Sequence, residues 1–152
     1  VTRAYVGLGA NLGDRERTLH AAVDALGAEE GITVVAASTL RETEPVGVGE
    51  QPRFLNGAVA LDTTLEAREL LDRLLAVEQR FGRIRVPGEH APRTLDLDLL
   101  LFGDEQIGEP GLTVPHPRLH ERRFVLEPLV ELAPGLVVPG RGSVESLLAG
   151  VH

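Results

Sequence analysis

The chain reads as an α+β domain, a ferredoxin-like βαββαβ core with a mainly antiparallel sheet, helices packed on it, and a C-terminal extension. Three observations lead there. Two segments carry apolar residues at helical spacing, and stretches rich in β-branched or alternating residues flank and separate them in the order β-α-β-β-α-β. The 152 residues are 43% apolar and 25% charged, near globular averages, so a packed core is expected. About fifty residues follow the last core strand without repeat, low-complexity tract or linker, so residues 1–152 are read as one domain whose tail packs on the core.

Arg3 to Leu8 reads as a strand running into a glycine-rich turn from Gly9 to Gly13. Asp14 is placed to cap a helix carrying Leu19, Ala22, Val23 and Leu26, with Gly27 as its stop. Ile32 to Leu40 is β-branched and reads as a strand. Glu44 to Pro52, with two prolines and two glycines, is a loop. Phe54 to Leu61 is a strand. Thr63 and Glu66 form a capping box for a helix from Leu65 to about Phe81, with Leu70, Leu71, Leu74, Leu75 and Val77 on its apolar side. Arg83 to Pro92 is a second polar loop and Leu95 to Phe102 a strand. The tail holds a proline-bracketed segment from Val114 to Arg123, an apolar stretch from Phe124 to Leu132, a short strand around Leu136 to Val138, and a last short helix.

Composition narrows the function classes. No cysteine is present, which excludes disulfides and thiolate metal sites and makes a cytoplasmic enzyme the expectation. No apolar run approaches the roughly 20 residues that cross a bilayer, and no leader pattern opens the chain, where Val1 suggests an alternative start codon or a trimmed terminus. The net charge of -8 argues against nonspecific binding to nucleic acid or an anionic membrane. All fifteen basic residues are arginine, so lysine Schiff-base chemistry is out while anion clamping stays open; a GC-rich genome also accounts for the bias. With five aromatics, Tyr5, Phe54, Phe81, Phe102 and Phe124, a stacking site would use a large share of them. An RNA-recognition module, which the same element order would suit, wants more exposed aromatics and a basic surface.

The sharpest local pattern is Asp96-Leu-Asp98 inside a strand. Alternate side chains share a face, so the two aspartates point one way and Leu95, Leu97 and Leu99 the other. Such a pair suits hard divalent cations and phosphoryl chemistry, and equally suits an exposed face with two solvated carboxylates. Arg83, Arg85 and Arg93 lie in the loop feeding this strand, either as salt-bridge partners or as a clamp on polyphosphate oxygens. Phe54 and Asn56 share a strand face, with Thr43 across the preceding loop; they match the plane and edge of a flat heterocycle, or a core phenylalanine beside a strand-end asparagine. His116, stiffened between Pro115 and Pro117, is open to a structural or a catalytic role. Gly7, Gly9 and Gly13 are spaced one residue too long for a dinucleotide fingerprint, and the element order is wrong for it.

Taken together, YVGLGANLGD, TEPVG, QPRFLNGAV, FGRIR, PRTLDLDLLLFG, LTVPHPRLHERRFVLEPL and ELAPGLVVP run through nearly the whole chain in order. On these segments the sequence resembles the 6-hydroxymethyl-7,8-dihydropterin pyrophosphokinases of folate biosynthesis. The resemblance implies transfer of the terminal pyrophosphoryl unit of ATP to the pterin's hydroxymethyl oxygen, with release of AMP. It implies a monomer in the cytoplasm, with no nucleic-acid or membrane partner.

The same resemblance implies roles for single residues. Asp96 and Asp98 would ligate two magnesium ions on the triphosphate, with Asp98 also able to assist deprotonation. Arg83 and Arg93 would close over the phosphates and support transfer. Arg85 and Arg122 would bind ATP, with Leu99, Thr113 and His116 near the nucleotide and Glu78, at an exposed helix end, as a nucleotide-site carboxylate. Phe54 and Phe124 would sandwich the pterin, while Thr43, Asn56 and the main chain of Val46 meet its hydrogen-bonding edge. His90, Leu75 and Gly111 depart from some members, which carry a tryptophan at the first position and polar or basic residues at the other two.

Overall fold

The computed structural model describes residues 1–11, 14–43, 54–81 and 95–151. The first strand, β1 (Thr2–Ala10), sends Ala4, Val6, Leu8 and Ala10 into one core. Gly7 and Gly9 lie inside this strand, opposite Ala58 and Asn56, rather than opening a turn at Gly9 as the sequence suggested. Neither has a positive φ, so they are ladder residues that lack side chains.

Helix α1 (Arg15–Gly27) starts as expected: the Asp14 carboxylate accepts from the Arg17 amide at 3.2 Å, and Leu19, Ala22 and Leu26 are buried. Strand β2 (Ile32–Ala37) then stops short of the expected Leu40. The Ser38 hydroxyl is the cause, accepting from the Ala58 amide and donating to the Thr39 carbonyl, both at 2.9 Å. A side chain that competes for backbone partners ends a regular ladder. The chain resumes as a separate strand, β3 (Arg41–Thr43), on the same partner, β4 (Phe54–Thr63).

Helix α2 (Ala67–Arg80) begins later than the expected Leu65. Thr63 is occupied, its hydroxyl donating to the Gly31 carbonyl at 2.6 Å and accepting from the Leu65 amide at 3.0 Å. The cap therefore moves to Glu66, whose amide donates to Glu69 Oε1 at 3.1 Å. Leu70, Leu74 and Val77 point into the core and Leu75 stays 41% exposed. Strand β5 (Asp96–Phe102) completes a five-stranded antiparallel sheet in the order β2-β4-β1-β5, with β3 also on β4.

The sheet has two unlike faces. On one, Val6, Leu8, Val59, Leu61, Leu97 and Leu99 meet Leu19 and Leu26 of α1 and Leu70, Leu74 and Val77 of α2. Each such burial stabilises the fold by about 1.5–3 kcal/mol. The tail packs on both: its Ile107, Leu112 and Val114 join this core, and its later residues cover part of the other face. It comprises β6 (Ile107–Glu109), β7 (Leu112–Val114), a 3-10 turn at Leu119–Glu121, α3 (Arg123–Leu132), β8 (Val137–Val138), β9 (Gly142–Ser143) and α4 (Val144–Ala149). Leu119, Leu126, Leu129 and Val144 pack there on Tyr5, Ala58, Ala60 and Leu100. The β6–β7 hairpin turns at Gly111, with φ +77, and escaped the sequence reading because its strands are three residues long. Among the described residues no helix is long and apolar enough to cross a membrane.

Candidate active site

Strand register lays out the open part of the second face. Arg41 pairs with Asn56, Asn56 with Gly9, and Gly9 with Asp96, so one row crosses four strands. The adjoining row holds Ala58, Gly7 and Asp98. Paired residues of antiparallel strands share a face, and strands lie about 4.8 Å apart, so Asn56 and Asp96 stand roughly 10 Å from each other across bare glycine. Side chains at positions 7 and 9 would fill that gap. An added Cβ on Gly9 would come to 2.9 Å from Asn56 Oδ1.

The result is a cavity of about 640 Å³ with this glycine floor. Thr43, Phe54 and Asn56 line it on the β3–β4 side, Asp96 and Asp98 on β5, and Arg122 and Phe124 where α3 begins. Asn56 is only 8% exposed, and its Nδ2 donates to the Thr43 hydroxyl at 2.5 Å, which fixes the orientation of the carboxamide. The Arg122 guanidinium lies 5.6 Å from the centre of the Phe124 ring, so a cation and an aromatic plane share the α3 side. The facing expected for β5 is observed: Leu95, Leu97 and Leu99 are buried in the core while Asp96 is half-buried and Asp98 exposed.

Other residues singled out from the sequence lie elsewhere. Thr113 and His116 line a second cavity of about 470 Å³, between β6–β7 and the segment around Pro139. Burial holds the His116 imidazole below its ordinary range; Arg122 and Arg118 push the same way and Asp98 opposes them. His116 Nδ1 accepts from the Arg118 amide at 3.2 Å, so the neutral ring carries its proton on Nε2. Leu99 is 6% exposed, its side chain committed to the core. Gly111 is the turn residue of the hairpin. Arg83, Arg85, Arg93, Val46 and His90 fall outside the described residues, as do Leu12 and Gly13 of the expected glycine turn.

Glu78 corrects an expectation. It is not at an exposed helix end but 2% exposed, with Oε2 accepting from the Leu97 amide at 2.7 Å. Strand β5 is a sheet edge, and an edge amide in a buried place needs an acceptor. Glu78 supplies it at the residue between the two aspartates, which holds their strand in register.

The chemistry of the donor set can be judged on these residues alone. Among the described residues no group of three or more His, Cys, Asp or Glu side chains could hold a metal by itself. Two carboxylates beside open space suit a hard ion such as magnesium, which keeps waters and takes its other ligands from bound phosphates. The residues fit that group. The sequence reading missed Gly7 and Gly9 as site residues, as well as Arg118, Glu121 and Arg123 on the cavity wall. Two glycines at alternate positions of an otherwise apolar strand were the available signal, since they mark close approach to backbone.

Comparison with known proteins places this geometry. The family model described as 7,8-dihydro-6-hydroxymethylpterin-pyrophosphokinase matches residues 5–134. A Pseudomonas aeruginosa protein named 2-amino-4-hydroxy-6-hydroxymethyldihydropteridine pyrophosphokinase is 45% identical over 149 residues, covering 98% of this chain and 91% of the relative. A Bacillus subtilis protein of the same name is 47% identical over 129 residues, 85% of this chain and 77% of the relative. The fold is similar to that of Plasmodium falciparum HPPK-DHPS crystallised with pteroate, with a TM-score of 0.77 at 13% identity. That alignment covers 97% of this chain and 44% of the Plasmodium chain. A match of this extent, on a chain whose cavity joins a fixed carboxamide to a carboxylate pair across bare glycine, leaves one conclusion: the chain belongs to the 7,8-dihydro-6-hydroxymethylpterin-pyrophosphokinase family.

Proposed function

We propose that the chain transfers pyrophosphate from ATP to the hydroxymethyl group of 6-hydroxymethyl-7,8-dihydropterin, giving the pterin diphosphate and AMP, in folate biosynthesis. The observation that carries this reading is the row Asn56–Gly9–Asp96, which sets a heterocycle-reading side chain and a carboxylate on one face with nothing between them. Phe54 and Phe124 stack on the pterin ring from the two sides of the cavity. Asn56, held by Thr43, meets the pterin's edge, a role for which the main chain of Val46 is also a candidate.

Asp96 and Asp98 would hold two magnesium ions. Held by these two carboxylates, the ions would supply charge neutralisation for the phosphates. Asp98 takes the proton of the hydroxymethyl oxygen as that oxygen bonds to the β-phosphorus and the bond to the α-phosphate's bridging oxygen breaks, releasing AMP. Arg83 and Arg93 close over the phosphates, and Arg85 and Arg122 hold the nucleotide. Thr113, His116 and the main chain of Leu99 flank the nucleoside. Glu78 acts through the Leu97 amide, keeping the aspartates in place.

The strand order supports a ferredoxin-like core, and cores on both faces of one sheet support a single domain over residues 1–152. The net charge of -8 supports action apart from nucleic acid and anionic membranes, and a cytoplasmic monomer is part of the same proposal. The test is AMP formation from magnesium-ATP. AMP that appears only with the hydroxymethyl-dihydropterin supports the reading. ADP or inorganic phosphate formed without the pterin contradicts it and favours a phosphohydrolase.

A further inference from the structure

The cavity has a strand side and a helix side, and a polar cluster outside it ties the two together. On the strand side, Arg41 stands in the same cross-strand row as Asn56 and two residues before Thr43. On the helix side, Phe124, Glu127 and Glu131 recur at i, i+3 and i+7 of α3, one stripe of the helix. Arg41 joins the two. Its Nη2 donates to Glu131 Oε1 at 2.7 Å and its Nε lies 3.7 Å from Glu127 Oε2. Glu131 is gripped further by Thr39, whose amide and hydroxyl each donate at 2.7 Å. Glu127 is held in turn by Arg123 Nε at 2.5 Å.

An isolated surface ion pair contributes little, because water screens it and two long side chains lose freedom. This cluster differs in kind. Its members are about one-third exposed, Arg41 at 35%, Glu131 at 32% and Glu127 at 30%. Glu131 alone accepts three hydrogen bonds, two of them from Thr39, in the link between β2 and β3. Strand β3 is three residues long and pairs along β4, so a bond from Arg41 to α3 constrains the strand that carries Thr43 as well as the helix that carries Phe124.

We propose that Arg41, held by Glu127 and Glu131, is a positioning residue that sets the width of the pterin cleft by fixing α3, and with it Phe124, against the β3–β4 side. The proposal rests on the reading of Phe54 and Phe124 as the pterin sandwich. Arg41 touches neither reacting group; it acts through Phe124, and its loss falls on pterin affinity rather than on the nucleotide.

The experiment is a double-mutant cycle read by calorimetric titration with 6-hydroxymethylpterin and, separately, with a nonhydrolysable ATP analogue plus magnesium. Arg41→Ala is expected to weaken pterin binding about tenfold and to leave the analogue within about twofold. In a Phe124→Ala background the same change is expected to cost less than about threefold, because the group it positions is gone. Arg41→Lys, which keeps one charged donor for Glu131, is expected to recover most of the loss, and it carries the test if Arg41→Ala does not fold. Unchanged pterin affinity in Arg41→Ala overturns the proposal, as does a full tenfold loss in the Phe124→Ala background or an equal loss for both ligands. Pterin binding by Phe124→Ala equal to that of the unaltered chain overturns the sandwich reading itself.

Discussion

The two faces of the sheet are made from the same strands and do opposite work. Toward α1 and α2, β1 presents Ala4, Val6 and Leu8, and β5 presents Leu97 and Leu99 with Leu95 just before it, all nearly inaccessible to water. Toward the cavity the same strands present Gly7 and Gly9, and Asp96 and Asp98. The period-two alternation of a strand lets one segment serve both sides. Stability comes from the core under α1 and α2 and from the part of the second face that the tail covers. The open face spends some of it, since strand glycines pack nothing and neighbouring carboxylates repel.

Substitutions on the two faces should therefore separate activity from stability. The largest effect is expected at Asp98→Ala: turnover, read by single-turnover AMP release, should fall by about a thousandfold or more, while the melting temperature stays within about 2 °C. A coupled loss of stability would mean that the aspartates are structural. On the other face, Leu74→Ala removes a fully buried side chain and should cost about 2–5 kcal/mol in urea unfolding, with the KM values of the folded fraction unchanged.

Gly9→Ala sharpens the comparison at a smaller scale. The added methyl would press on Asn56 Oδ1 at 2.9 Å, so the carboxamide must tilt away from its place beside Thr43. The KM for the pterin should rise about tenfold and that for ATP stay within about twofold, since one hydrogen-bonding edge is lost. Equal changes in both would show that the floor serves the whole cavity rather than the pterin end.

The smallest effect concerns pH. Hydrogen bonds from the Thr39 hydroxyl and amide, and from Arg41, hold the Glu131 carboxyl below the ordinary glutamate range. The folded chain then binds this proton less readily than the unfolded chain. The stability it contributes is full above the unfolded value of about 4.3 and fades as pH falls through the lower folded value. Glu131→Gln should flatten the acid limb of the stability curve in that window and leave the neutral region nearly parallel. An unchanged acid limb would show that the cluster adds nothing to folding.

What the sequence revealed follows from how local each signal was. The facing of Asp96 and Asp98 and the Asp14 cap depend on neighbours within a few residues, and both were legible. Gly7 was read within the strand, but Gly9 was read as opening a turn because glycines before a helix cap resemble one; only pairing with Asn56 and Asp96 reveals its place in a ladder. Glu78 looked exposed because a carboxylate near a helix end ordinarily is. Its burial answers the Leu97 amide nineteen positions away, which no local pattern encodes. The Thr63 cap failed for the same reason, its hydroxyl being taken by Gly31 from another segment. Helix α3 was recognised only as apolar, since Pro128 inside it weakens a helical reading while the packing of Leu126 and Leu129 sustains it.

The paired aspartates on the open face are proposed to gather the metal that accompanies the nucleotide. Paramagnetic broadening by manganese, added with a nonhydrolysable ATP analogue and followed on backbone amides, tests it most directly. Strong broadening is expected at Gly7, Gly9 and Leu97, abolished when Asp96 and Asp98 are both replaced by Asn. Broadening centred away from β1 and β5, or unchanged in the double variant, would contradict it.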